Sequence, residues 1–379
     1  MDFELTDAQA LFQQTARDIA EREIAPLAAK VDELAMFPRE IVAKLGELGF
    51  MGIMVPQEYG GAGADAVSYV VALEEVCRAC ASTGIIMSAT NSLYCDPLLR
   101  FGTEVQKQHF LTPVASGRAL GCFALSEPNA GSDAANQQTR ARREGAGYVL
   151  SGTKNFISNA LEADFAIVFA QVDPARGHKG IAAFVVERGT PGFSVGRVEK
   201  KLGIRGSSCC QLLLEDVRVP AENRLGADGE GLRVALSTLD GGRIGVATQA
   251  VGIARAACEA SVEYAKQRQQ FGQPIAKFQA IQFMLADMAT EIAAARLLTL
   301  RAAALKDRGA PYGKEAAMAK LYASETAMRV TTNAIQVHGG YGYLKDFPVE
   351  RLFRDAKVTE IYEGTSEMQR LVIARSLLG

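Results

Sequence analysis

The chain has 379 residues, 48% of them hydrophobic and 22% charged, an ordinary globular composition with apolar material for a large core and for two or three domains. A net charge of −2 gives no reason to expect a nucleic acid or an anionic membrane as the main partner. No apolar run approaches the ~20 residues of a membrane span, "MDFELTDAQA" shows no secretory signal, and seven scattered cysteines suit reduced thiols.

From Thr6 to about Ser116 the pattern is helical. Thr6 and Gln9 have capping-box spacing, and "LTDAQALFQQTARDIAERE" alternates apolar and charged residues at helix period. "GGAGADA" at 60–66 matches a dinucleotide-binding glycine pattern, but the "VPQEY" before it is polar and broken by proline, so it reads as a surface turn. Cys77 and Cys80 form a Cys-x-x-Cys in the middle of helical text and read as two packed cysteines. The text then changes. "YVLSGTKNFIS", "FAIVFAQV", "GIAAFVVE", "FSVGRVE" and "CCQLLLEDVRVP" are short Val/Ile/Phe-rich runs parted by Gly, Pro and Asp, the pattern of an antiparallel sheet or barrel. After "PAENRLGADGEG" helical text returns to the end, and Ile281, Met284, Leu285, Met288, Ile292 and Ala295 step along one apolar stripe. The expected domains are 1–118 (helical), 119–226 (β) and 227–379 (a bundle of long helices). His109, His178 and His338 are too few and too scattered to predict a metal site.

Five segments break local rules in ways that suit a ligand. "CFALSEPNAGSD", 122–133, runs from an apolar start through Ser126 into a tight loop of hydroxyls and carboxylates, fit for a heterocycle edge or phosphate, or an ordinary turn. "LDGGRIGVA", 239–247, puts Gly241 and Gly242 inside a helix at roughly 1 kcal/mol each relative to alanine, so something comes close there. Asp240 and Arg243 share a face of that helix, either as ligand contacts or as a local ion pair. "RQQFGQPIAKFQ", 268–279, is a helix break. In "QVHGGYGYLKDFPVERLFRDAK", 336–357, a helix ends at Gly339–Gly340, a C-cap or a backbone contact for a ligand. Finally, "IYEGTSEMQR", 361–370, sets Glu363 in a turn before a helix that Ser366 and Gln369 are spaced to cap.

"ALSEPNAGSD", "QVHGGYGYLKD" with Arg351 and Asp355 beyond it, and "IYEGTSEMQR" resemble the signatures of the acyl-CoA dehydrogenase family, in order along essentially the whole chain. "STGIIMSATNSLY" and "KLGIRGSS" are most similar to the short-chain, butyryl-type members. The resemblance implies a mainly α fold with a β-barrel insert: an N-terminal helical domain, a middle β-barrel and a C-terminal four-helix bundle. It implies FAD held between barrel and bundle, with Phe123, Leu125 and Ser126 along the flavin ring and Phe156 and Ser158 at its other edge. Ser132 would lie between cofactor and substrate. Arg268, Phe271, Gln279, Gln336, Gly339 and Gly340 would reach the FAD of a neighbouring subunit, and Thr365 and Glu367 its phosphate and ribose region. Asp240, Arg243 and Gly364 would join Ser132 on the acyl-CoA.

Glu363 matches the family's catalytic base, with flavin N5 as hydride acceptor and a trans-2-enoyl thioester as product. The resemblance further implies a homotetramer, a place in fatty acid β-oxidation, and electron-transfer flavoprotein as electron acceptor. A branched- or medium-chain preference, an oxygen-using acyl-CoA oxidase, and a non-catalytic flavin-binding scaffold are the alternatives. The expected compartment is bacterial cytoplasm, or mitochondrial matrix for a processed eukaryotic form. Four positions bear on these alternatives. Gly242 stands where isovaleryl and long-chain relatives carry their glutamate base, so the base does not come from there. No arginine occurs in "IIMSATNSLY", which disfavours a dicarboxylic substrate. Phe156 stands where many relatives have tryptophan, and Asn136 replaces a small residue.

Overall fold

The computed structural model describes residues 4–379. Its N-terminal part is helical. Helix α1 (Asp7–Ile19) opens on the expected capping box, the Thr6 hydroxyl accepting from Gln9 N–H and the Gln9 side chain accepting from Thr6 N–H. Helix α2 (Ala66–Ala79) starts at an Asp65 cap, and α3 (Ala81–Ser88) follows it directly. The Cys-x-x-Cys is therefore not in mid-helix: Cys77 lies in α2, while Cys80 is extended and joins the two helices. Both thiols are free and buried. The reversal is tight, because a Cβ on Gly84 would come within 2.2 Å of Cys77 Sγ.

The middle segment holds eight strands: β1 (Gly121–Ala124), β2 (Arg140–Glu144), β3 (Gly147–Ser158), β4 (Phe165–Gln171), β5 (Ile181–Glu187), β6 (Phe193–Val198), β7 (Cys209–Pro220) and β8 (Arg224–Leu225). Their ladder runs β6-β7-β3-β2-β4-β5-β8, with β1 added in parallel on β4. Alternation sorts the side chains. Ala166, Val168 and Ala170 of β4 share an interior with Phe184 of β5, Leu212 of β7, and Phe193 and Val195 of β6. Strands as far apart in the ladder as β6 and β5 thus enclose one core, which is how the expected barrel is realised. The other faces of β4 and β5 (Ile167, Phe169, Ala183 and Val185) pack against Tyr94, Leu98 and Phe110 of the N-terminal part.

Helices α4 (Gly231–Gln267), α5 (Gln279–Asp307) and α6 (Gly313–His338) pack on one another, and α6 also carries α7 (Val349–Lys357) and α8 (Ser366–Leu378). The predicted stripe of α5 supplies its inward positions, Met288, Ile292 and Ala295. Helix α4 is buried continuously from Gly241 to Ala254, because α2 covers one side and α5 and α6 the others. An ionic junction ties these parts together. Glu74 and Glu75 of α2 are buried and take arginines from three other helices. Arg296 reaches Glu74 at 2.8 Å, Arg17 reaches Glu75 at 2.9 Å, and Arg255 bonds both carboxylates. Burial pushes the Glu75 carboxyl up, but its arginine partners outweigh that and hold it below its ordinary value. No helix among the described residues is long and apolar enough to cross a membrane.

Candidate active site

The turn between α7 and α8 sits where α4 and α6 converge. Its backbone is left-handed at Glu363 (φ 53°) and at Gly364 (φ 95°). A non-glycine residue holds that conformation at about 1–2 kcal/mol, so the surroundings must enforce it. They do so through carbonyls. Gln369 Nε2 donates to Gly364 O at 2.8 Å and to Glu363 O at 3.3 Å, and Lys320 Nζ on α6 donates to Gly364 O at 2.7 Å. This corrects the expected cap. Thr365, not Ser366, caps α8 by accepting from Met368 N–H at 3.4 Å, so Ser366 enters the helix and Gln369 turns inward to the turn.

Both Glu363 carboxylate oxygens are buried and have no hydrogen-bond partner. No acceptor among the described residues takes the Glu363 N–H. Burial pushes the carboxyl up to about 7, against the pull of Lys320 and then Arg243. The carboxylate lies flat against α4, since a Cβ on Gly242 would stand 1.8 Å from Glu363 Oε2 and 3.0 Å from Leu93 Cδ2. Gly242 is thus the glycine that close approach requires, and its partner is the acid itself. One turn along α4, a Cβ on Gly245 would meet Ser88 Oγ at 2.3 Å and Tyr69 Oη at 2.6 Å, two hydroxyls that bond each other at 2.9 Å. A further turn brings Gln249, whose Oε1 accepts from Tyr362 Oη. On the opposite side Arg243 pairs with Asp240 at 2.5 Å, leaving Arg243 Nε buried and unbonded. Asp240 and Arg243 therefore do form a local ion pair, beside the carboxylate.

The remaining predicted residues fall into two groups. At the sheet rim, Phe123 and Leu125 lead into the loop, Ser126 O accepts from Asn155 N–H at 2.8 Å, and Phe156 and Ser158 follow on β3. The β3–β7 register slips between Lys154 and Ile157, and at that bulge Phe156 (φ 57°) is 63% exposed while Lys154 points inward. Ser132 lies exposed on the loop beyond. The second group surrounds the helix break. Arg268, Gly339 and Gly340 line a cleft of about 490 Å³, and the Arg268 guanidinium lies 5.2 Å from the Tyr341 ring centre. Phe271 (φ 52°) is 94% exposed at the tip of a two-stranded hairpin, and Gln279 and Gln336 are exposed on their helices; outside both groups, Glu367 is exposed in the first turn of α8. Glu363 is not among the residues lining this cleft.

Sequence reasoning missed three supports. Lys320 and Gln369 hold the Glu363 turn. The third is the ion pair between Lys154 Nζ and Glu127 Oε1, at 2.7 Å, deep under the Ser126 loop. Glu127 also accepts from Gln138 N–H at 2.6 Å and Thr139 N–H at 3.1 Å, folding the loop back on itself. The available signal was slight: a glutamate inside "ALSEPNAGSD" and a lysine inside "GTKNFIS", one charge of each sign beside the edge of the β segment.

Comparison with known proteins accounts for the order of the three parts of the chain. The N-terminal, middle and C-terminal domain models of acyl-CoA dehydrogenase match residues 6–118, 122–217 and 229–378. The chain belongs to the acyl-CoA dehydrogenase family. It is 54% identical to the mitochondrial short-chain specific acyl-CoA dehydrogenase of Mus musculus over 99% of this chain and 91% of that one. The solved butyryl-CoA dehydrogenase of Megasphaera elsdenii is 49% identical with a TM-score of 0.99, covering 100% of both chains. A chain solved in a study of the electron transferring flavoprotein of Acidaminococcus fermentans is 51% identical, again with a TM-score of 0.99 and 100% of both chains covered. This acyl-CoA dehydrogenase is therefore an enzyme, a flavin oxidoreductase with the three-domain architecture of its family.

Proposed function

We propose that the enzyme oxidises a short-chain acyl-CoA thioester to the trans-2-enoyl-CoA, with Glu363 as the base and electron-transfer flavoprotein as the electron acceptor. The observation that carries this reading is the Glu363 carboxylate, buried, unbonded and pressed against Gly242. An α-hydrogen beside a thioester is a feeble acid, so its removal needs a base near neutral pKa and a donor for the developing enolate oxygen. Glu363 meets the first need and its free N–H the second. Removing such a donor typically raises the barrier by about 3–4 kcal/mol.

The residues present fit FAD. Two phenylalanines, Phe156 and Phe271, are held in left-handed backbone and presented outward, a strained display suited to covering by an aromatic ligand. Phe123, Leu125, Ser126, Phe156 and Ser158 would hold one face and edge of the ring system, with Thr365 and Glu367 nearer the ribose and phosphates. Arg268, Phe271, Gln279, Gln336, Gly339 and Gly340 of a neighbouring subunit would complete the site, which calls for a homotetramer or at least a dimer. Bound FAD supplies the acceptor for the hydride that leaves the β-carbon. Ser132, Asp240, Arg243 and Gly364 would orient the thioester so that its α-hydrogen meets Glu363.

The short-chain preference has its own support. Along α4, Gly242 faces the acid, Gly245 the Ser88–Tyr69 pair and Gln249 the Tyr362 hydroxyl. At 1.5 Å per helical residue, that sets polar groups about 4 to 10 Å along the helix from the carboxylate, so an acyl chain laid along α4 would meet hydroxyls after a few methylenes. The relatives named for short-chain and butyryl substrates agree with this depth. The direct test is to mix the FAD-loaded protein anaerobically with butyryl-, isobutyryl-, hexanoyl- and octanoyl-CoA and follow flavin absorbance. Fastest bleaching by butyryl-CoA is expected. A preference for octanoyl-CoA would overturn the chain-length reading, and no bleaching by any thioester would overturn the reaction.

A further inference from the structure

Lys320 lies in the apolar stretch "AAMAKLYAS" of α6 and is fully buried. An ammonium has three donors to place, yet this one makes a single hydrogen bond, to Gly364 O, and belongs to no ion pair among the described residues. Burying an uncompensated charge is unfavourable by several kcal/mol, so its retention in an alanine-rich helix calls for a role. Its acidic neighbours are Glu363, Glu360 on the turn after α7, and Glu367 on α8; the other nearby cation is Arg243 on α4. Arg243 is paired with Asp240, and its pull on Glu363 is the weaker of the two. Tyr69 and Tyr362 also face Glu363, but burial raises both phenols, so they stay neutral near pH 7.

We propose that Lys320 is the positioning residue of Glu363: one ammonium fixes the left-handed Glu363–Gly364 turn through the Gly364 carbonyl and keeps the adjacent carboxylate ionised, ready to take a proton. The second half rests on the dehydrogenase reading, while the first stands on geometry alone. Gln369 Nε2 grips the same carbonyl from α8, so the turn has two anchors and only one of them is charged. The carbonyl that Lys320 holds belongs to the residue next to Glu363, which keeps the ammonium beside that carboxyl without a hydrogen bond to it. Burial brings the Lys320 ammonium down to about 8 while Glu363 holds it up, and Lys320 is the foremost group pulling the Glu363 carboxyl down.

Two variants separate charge from hydrogen bonding. Lys320→Gln keeps a donor for Gly364 O but loses the charge, and Lys320→Arg keeps the charge. The FAD-loaded enzymes are compared by the pH profile of anaerobic flavin bleaching. Independently, infrared titration follows the protonated-carboxyl band that Glu363→Gln removes. Lys320→Gln should move the acid limb and the band midpoint up by about one pH unit, a roughly fivefold loss at pH 7 that recovers at pH 9. Lys320→Arg should leave both where they are in the parent. A loss of equal size at every pH, or an unmoved band in Lys320→Gln, would overturn the proposal. A parent that binds FAD but bleaches with no thioester would end the dehydrogenase reading, and the infrared shift would still decide the coupling of Lys320 to Glu363.

Discussion

Glu127 and Glu363 are both buried carboxylates, and they behave in opposite ways. Glu127 sits under the Ser126 loop with Lys154 at 2.7 Å and two backbone N–H groups on its oxygens. Burial raises it, but those partners prevail and hold it below its ordinary value. Glu363 is enclosed as thoroughly at its oxygens, has no partner on either, and is pushed up to about 7. Partnering, rather than depth, thus separates a carboxylate that builds from one left free to exchange a proton. The same contrast holds in the backbone. The Glu127 loop is fixed by bonds to its own side chain, whereas the Glu363 turn is fixed from outside, by Lys320 and Gln369, leaving its acid and N–H free.

The comparison breaks most visibly at the proposed base. Glu363→Gln should reduce the rate of flavin bleaching roughly 10²–10⁴-fold, with FAD content unchanged and the melting temperature equal or higher, because an unbonded buried acid has been removed. Glu127→Ala should do the reverse. It strands the buried Lys154 ammonium, a change of about 3–5 kcal/mol in stability. A large drop in melting temperature with reduced FAD retention is expected, since Ser126 and the Phe156 bulge hang from that pair. Removing both charges, as Glu127→Gln with Lys154→Met, should be milder than the single change. Gly242→Ala sharpens the contrast from the other side. Its Cβ would stand 1.8 Å from Glu363 Oε2 and must displace the carboxylate. A shift of about 1 Å typically slows turnover about 100-fold, so bleaching should slow by that order while FAD binding persists.

How far these sites could be read without coordinates follows from the range of the forces. The α1 cap and the α5 stripe are local, so spacing alone gave Thr6, Gln9, Met288, Ile292 and Ala295. Glu363 in its turn was legible because acid, glycine and helix start are contiguous. The α8 cap slipped by one residue, since Thr365 and Ser366 offer equal hydroxyls and only the inward pull on Gln369 decides between them. Gly242 was recognised as an anomaly, but its cause is an oxygen far along the chain. Lys320 gave no sign at all: a lone lysine in a helix ordinarily marks its wet face, and only packing shows this one to be dry. The cleft around Arg268 and Gly339 likewise depends on how a hairpin meets the end of α6.

The smallest expected effect is thermodynamic and tests the raised Glu363 carboxyl without any substrate. Its folded value of about 7 lies above the ordinary 4.5. Between those values the folded state keeps a proton that the unfolded chain has released, so stability falls as pH rises through that window and levels off above it. Glu127, held below its ordinary value, contributes in the opposite sense and only at more acid pH, where its stabilisation is lost as pH falls. Melting temperatures of the parent and of Glu363→Gln, taken from pH 5 to 8 in one ionic strength, isolate the first term. The parent should lose stability relative to the variant as pH rises from 5 to 7, and the difference should flatten by pH 8. A difference that does not change with pH would place the Glu363 carboxyl near its ordinary value, and its geometry would then have to serve as base without help from burial.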